Sequence, residues 1–228
     1  MRTVLPDSAL ELFGSERTGL ALAMSDIDLR LMSKEDLEAP VAPVLPPPRI
    51  QRQRLLDYIY KLHRYLLRRR EYEQCTVLHA RYPLISMLDR ATGLDVQIVL
   101  SNDTSLSRLM IQKYSQEYPY IRQVYSVVRT MLEIRGLTDT FRGGFGSYTI
   151  FMMVVASLRH YQGQQRPGDA AVALRAFFSF WTTFDTTTKG VSLEPAEFYD
   201  KATEAPMSGK VRAALEVTID SCDVCDLC

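Results

Sequence analysis

Phe13-Gly14-Ser15-Glu16-Arg17-Thr18-Gly19 and, a short way on, Ser25-Asp26-Ile27-Asp28-Leu29-Arg30-Leu31 form the stretch on which the fold turns. From Asp26 the residues alternate polar and apolar, the period of a β-strand, in which residues i and i+2 point to the same face. Ile27, Leu29 and Leu31 are therefore expected to face a core, while Asp26 and Asp28 project together from the other side. Leu94-Asp95-Val96-Gln97-Ile98-Val99-Leu100 repeats the alternation far along the chain, with Asp95 as a third strand carboxylate.

Three converging carboxylates are hard oxygen donors, a ligand type that suits Mg²⁺ together with substrate phosphates. Two such ions about 3.5–4 Å apart can activate an attacking hydroxyl and stabilise a leaving pyrophosphate. Gly14 lets backbone N–H groups approach phosphate oxygens, and Ser15 adds a hydroxyl donor. Phosphoryl transfer asks for little beyond positioning and charge neutralisation. Either motif alone arises by chance in many chains. The order Gly-Ser, then Asp-x-Asp, then a lone strand Asp is what points to nucleotidyl transfer.

On these residues the chain resembles the non-canonical poly(A) polymerases and terminal uridylyltransferases of the DNA polymerase β-like nucleotidyltransferase superfamily. Phe13 to Leu29 is similar to the family's Gly-Ser and Asp-x-Asp signature, and Arg81 to Asp89, leading into Gly93-Leu94-Asp95-Val96, resembles its third-carboxylate region. Arg142-Gly143-Gly144-Phe145-Gly146-Ser147-Tyr148 resembles the turn that opens a helix in its central domain. The resemblance implies an α+β fold, with a polymerase β-like mixed sheet and helices over residues 1–103. A mainly helical central, substrate-binding-like domain would follow over 104–228, incomplete at its C-terminal end. It also implies template-independent addition of ribonucleotides, AMP from ATP foremost, to an RNA 3′ hydroxyl with two Mg²⁺ or Mn²⁺ ions.

By that resemblance Asp26 and Asp28 hold both ions and Asp95 holds the one that activates the 3′ hydroxyl. Gly14, Ser15 and Ser147 position the triphosphate, and Tyr148 stacks on the base in a cleft between the domains. Arg129 stands where the family usually carries a triphosphate-binding lysine; it keeps the charge and changes the geometry. No base-reading Asp-Pro loop follows Met207. The chain thus reads as truncated at both ends, and the choice between ATP and UTP stays open. Uridylyl transfer is one alternative, and a catalytically silent scaffold in an RNA-processing assembly is another. Against the scaffold, clustered like charges cost stability unless metal or protons neutralise them.

The 228 residues, 46% hydrophobic, suffice for one or two domains, and no run of 18 apolar residues offers a membrane span. An intracellular location is expected, with nuclear and mitochondrial placement not separated. Net charge is zero and the sequence pI near 6.8, whereas autonomous RNA-binding domains usually have a pI above about 9. The RNA 3′ end is therefore expected to be held locally, or with an RNA-binding partner or a larger RNA-processing complex. A helix at 51–70 offers one such surface, where Arg52, Arg54, Lys61, Arg64, Arg68, Arg69 and Arg70 surround an apolar stripe of Leu55, Ile59, Leu62 and Leu66. A solvated face is the default reading of that charge and an RNA path is the alternative.

Strands are expected near 9–14, 26–33, 75–80, 83–88 and 94–100, and helices near 104–117, 119–136, 146–162 and 168–183. A proline-rich link at 39–50 precludes helix or central strand there. Residues 150–158 are apolar on nearly every side and predict a buried central helix. Trp181 and the phenylalanines beside it read as core. His63, His79 and His160 show no catalytic or zinc spacing. Cys222, Cys225 and Cys228 form an incomplete Cys-x-x-Cys-x-x-Cys motif that lacks a fourth ligand. Cys75 is expected within a strand, and no disulfide framework follows.

Overall fold

The computed structural model describes residues 8–23, 25–33, 49–79, 83–99, 105–161, 168–202 and 218–219. The proline-rich segment before Arg49, the three C-terminal cysteines and the side chains of Arg52, Arg54 and Leu55 lie outside the described residues. The chain divides into two compact units, 1–105 and 106–228.

In the first unit the order is β1 (Ser8–Leu12), α1 (Gly14–Thr18), β2 (Ile27–Ser33), α2 (Arg49–Leu66), β3 (Tyr72–Leu78), β4 (Leu84–Asp89) and β5 (Asp95–Val99). The sheet runs β1-β2-β5-β4-β3, with β2 and β5 parallel and every other pair antiparallel. A parallel pair needs a crossover, and α2 lies within it. One face of the sheet is core: Leu31, Ile85, Met87, Val96 and Ile98 pack with Ile59, Leu62 and Leu66 of α2. Each such burial contributes about 1.5–3 kcal/mol. The stripe predicted for this helix is therefore its buried side, and Lys61, Arg64, Arg68, Arg69 and Arg70 are exposed. His63 Nε2 lies 3.2 Å from the Cys75 carbonyl and ties α2 to β3.

Because Val96 and Ile98 face the core, Asp95 and Gln97 belong to the opposite face. The register pairs Ile27 with Val96 and Asp28 with Gln97. Side chains of paired residues share a face, so β2 and β5 display their polar residues side by side.

The second unit is built on α3 (Ser105–Glu117), α4 (Ile121–Ile134), α5 (Ser147–Arg159) and α6 (Ala170–Thr183). As its sequence predicts, α5 is central: Ile150, Phe151, Met152, Val154, Val155, Ala156 and Leu158 are all buried. Trp181 of α6 donates its indole N–H to the Met153 carbonyl at 3.1 Å. The Asp169 carboxylate caps α6 by accepting from Val172 N at 2.9 Å. The tight turn into α5 depends on Gly144, where a Cβ would stand 2.7 Å from two backbone carbonyls, those of Leu137 and Asp139.

After α6, where the sequence predicts no further element, the chain turns to strand. Lys189–Leu193 (β6) and Ala196–Asp200 (β7) form an antiparallel hairpin, and Thr218–Ile219 (β8) pairs on the other side of β6. Gly190 to Leu193 are buried in succession, so β6 lacks the alternation that marks a half-exposed strand. Polar contacts anchor the hairpin. Tyr114 donates its hydroxyl to Glu194 at 2.8 Å, Lys113 pairs with the same carboxylate, and Arg159 reaches the Leu193 carbonyl at 3.2 Å.

Candidate active site

Asp26 and Asp28 lie on the polar face of the first sheet, immediately before and within β2. Burial, and after it the neighbouring Asp26, push the Asp28 carboxyl up to about 6. Two carboxylates brought close in a partly dry place resist joint ionisation, which is the signature of a site awaiting a cation or a proton. Gly14 explains the burial. Its φ of +60° is open to glycine, and a Cβ there would overlap Asp28 Oδ2 and stand 2.9 Å from Cγ. The backbone of the Gly-Ser segment is thus packed directly on the carboxylate.

The Gly-Ser segment forms a short helix, α1, docked on β2 by Phe13 N donating to the Asp28 carbonyl at 2.8 Å. Thr18 Oγ1 closes it by donating toward the Gly14 and Ser15 carbonyls at 3.2 and 3.1 Å. The Ser15 carbonyl also accepts from Leu20 N at 2.9 Å, and Gly19 ends the helix in the left-handed region at φ 75°. Below this corner Glu11 pairs with both Arg30 and Arg17.

Asp95 is the first residue of β5, on the same face, and is exposed. Among the described residues no three His, Cys, Asp or Glu side chains gather closely enough to hold a metal ion. Instead, Gln97 Nε2 donates to Asp26 Oδ2 at 2.8 Å. Like charges repel, and a neutral amide from the adjacent strand satisfies Asp26 where a third carboxylate would not. Gln97 escaped the sequence reading, although its place two residues after Asp95 puts it on the acidic face. The donor set fits divalent ions on chemistry: hard oxygens on one face, with the most buried of them holding its proton to about pH 6.

The other three residues singled out come together in the second unit. Ser147 and Tyr148 open α5, and Arg129 lies on α4, packed against it. Between them stands Tyr125, one helical turn before Arg129, which the sequence reading missed. Tyr125 is 1% exposed, its ring tilted against Phe151 at 6.2 Å. Burial raises its pKa, while Ser147 and Arg129, both close to the hydroxyl, pull the other way. Yet neither the Tyr125 hydroxyl nor Arg129 Nη1 makes an aligned hydrogen bond, and both are buried. Burial likewise pushes Tyr148 up to about 12, opposed by Ser107 of α3, so its hydroxyl stays neutral. Unaligned buried donors beside the N-terminal end of α5 suit an anion.

The family described as "Poly(A) RNA polymerase, mitochondrial-like, central palm domain" matches residues 1–116, a span holding both Asp-bearing strands and the Gly-Ser segment. The chain belongs to that family. Among curated relatives of these polymerases, poly(A) RNA polymerase cid14 of Schizosaccharomyces pombe is 28% identical over 155 residues, which cover 68% of this chain and 21% of that protein. The chain spans 21 to 30% of the length of the first relatives it matches. Among solved structures, mtPAP in complex with GTP superposes with a TM-score of 0.71 at 16% identity, covering 93% of this chain and 56% of that one. Terminal uridylyl transferase 4 from Trypanosoma brucei with bound GTP gives 0.70 at 18%, covering 88% and 69%. These likenesses show the fold, an α+β mixed sheet followed by helices.

Proposed function

We propose that the chain is the nucleotidyl-transferring part of a template-independent RNA 3′-terminal nucleotidyltransferase that adds AMP from ATP. The observation that carries this reading is the acidic strand face packed on Gly14, within a span that matches the poly(A) RNA polymerase palm. The names of the relatives support ATP as the nucleotide.

Asp26, Asp28 and Asp95 would hold two Mg²⁺ or Mn²⁺ ions, which when bound make the RNA 3′ hydroxyl a better nucleophile and neutralise the departing pyrophosphate. The chain's own residues position the reactants. Gly14 opens the approach to Asp28, and Ser15 offers a hydroxyl to the phosphates. In the second unit, read as the helical substrate-binding domain, Arg129 and Ser147 meet the triphosphate and Tyr148 presents its ring to the base. Gln97 holds Asp26 in place by its side-chain amide. The attacking oxygen forms its bond to the α-phosphorus as the bond to the β-phosphate oxygen breaks, leaving pyrophosphate and an RNA one nucleotide longer.

The test is extension of a 3′-hydroxyl oligoribonucleotide with each ribonucleotide offered singly and with ATP and UTP in competition. Extension is expected with ATP foremost. Preferential use of UTP would reassign the nucleotide and keep the reaction. No extension with any of the four, under Mg²⁺ and Mn²⁺ alike and with ATP bound, would move the reading to a silent scaffold.

A further inference from the structure

We infer that Glu133 is a built-in competitor of the triphosphate, holding the Arg129 guanidinium until the nucleotide displaces it. The inference rests on the placement of the triphosphate at Arg129 and Ser147 proposed above. Tyr125, Arg129 and Glu133 stand four residues apart in succession and so line one face of α4. Glu133 Oε2 is 2.8 Å from Arg129 Nη1, yet that nitrogen makes no aligned hydrogen bond. The side chains are 16% exposed for Arg129 and 56% for Glu133. The pair is therefore lopsided, with a largely buried cation satisfied in charge but not in hydrogen bonding by an acid that reaches in from solvent.

Three further features face the same spot. The Tyr125 hydroxyl is buried without an aligned partner. Ser147 lies beside it. The first turn of α5 begins at Gly146 without a side-chain cap. All three are donors, and the carboxylate of Glu133 is an acceptor placed at the exposed end of the row. A phosphate oxygen meeting Arg129 must either exchange with that carboxylate or lie beside it against like-charge repulsion. An i,i+4 helix pair open to solvent at its acidic end is weak, about 0.3–0.5 kcal/mol, so a ligand of several negative charges can displace the acid. Glu133 thereby sets nucleotide affinity while leaving the chemical step alone.

The test measures ATP binding to the 228-residue chain by titration calorimetry, and KM and kcat for RNA extension, in Glu133→Gln, Arg129→Met and the double variant. Glu133→Gln is expected to tighten ATP binding and lower KM about two- to fivefold with kcat unchanged. Arg129→Met should weaken binding, and in its background the Glu133 substitution should have no effect. Unchanged or weaker binding in Glu133→Gln, alongside weakened binding in Arg129→Met, would overturn the competitor and leave the triphosphate placement standing. Unchanged binding in Arg129→Met would overturn that placement and the competitor with it. A gain in Glu133→Gln that persists without Arg129 would show that Glu133 acts by another route. The exposed position of Glu133 keeps its variant folded, and Glu133→Asp, which retains the charge, should stay near the parent.

Discussion

Asp28 on β2 and Arg129 on α4 are both charged residues in largely buried places, yet they are held by opposite means. Asp28 is fixed by strand register and by the backbone of Gly14 pressed against it, beside a second carboxylate that opposes its ionisation. Arg129 is held by an acid one turn along its own helix, beside a buried tyrosine hydroxyl that makes no aligned hydrogen bond. In the sheet a charge is frustrated by its like, and in the helix pair buried donors lack aligned hydrogen bonds. The first arrangement calls for cations and the second for an anion.

Breaking the acidic side should have the larger effect. The Asp28 carboxyl has an ordinary value of 3.8 and a folded value of about 6. Between those two values the unfolded chain loses its proton while the fold keeps it, so stability falls as pH rises through that window and stays lower above it. The penalty is on the order of 3 kcal/mol. Asp28→Asn should therefore abolish transfer and yet raise thermal stability at pH 7.5 in chelator, by on the order of 1–3 kcal/mol. The gain should vanish below about pH 3, where the parent carboxyl is protonated in both states. Thermal melts at the two pH values check this, and equal or lower stability of the variant at pH 7.5 would show that Asp28 is not strained.

On the helical side the effect should be smaller. Tyr125→Phe keeps the buried ring and removes a hydroxyl whose burial without a partner costs about 1–3 kcal/mol. Stability should hold or rise by about 1 kcal/mol, while ATP affinity falls about two- to tenfold through one lost hydrogen bond. Calorimetric titration beside a thermal melt separates the two. A marked loss of stability with unchanged affinity would make Tyr125 a packing residue alone.

The contrast also explains what the sequence could show. Strand alternation places Asp26 and Asp28 together, opposite the apolar side of β2, and Asp95 opposite the apolar side of β5, because the period of two is a local property. The helices of the second unit were legible for the same reason, and α5 was identifiable as central because it has no polar side. Gln97 and Tyr125 were visible only in part. Each lies at the right interval from a charged residue, i+2 in a strand and i−4 in a helix, yet neither type draws notice alone. The exposed position of Asp95 and the hold of Gln97 on Asp26 depend on packing across strands distant in sequence, and no spacing encodes them. The β6–β7 hairpin was hidden because Gly190 to Leu193 are all buried, which erases the alternation that would mark a strand.

The most direct test of the account is Asp95→Ala, since Asp95 is the exposed carboxylate of the three, on a strand distant in sequence from the other two. ATP binding and extension of a 3′-hydroxyl oligoribonucleotide would be measured on the same preparation with Mg²⁺ and with Mn²⁺. Extension should be abolished while most of the ATP affinity remains. Extension at the parent rate would contradict the three-carboxylate site.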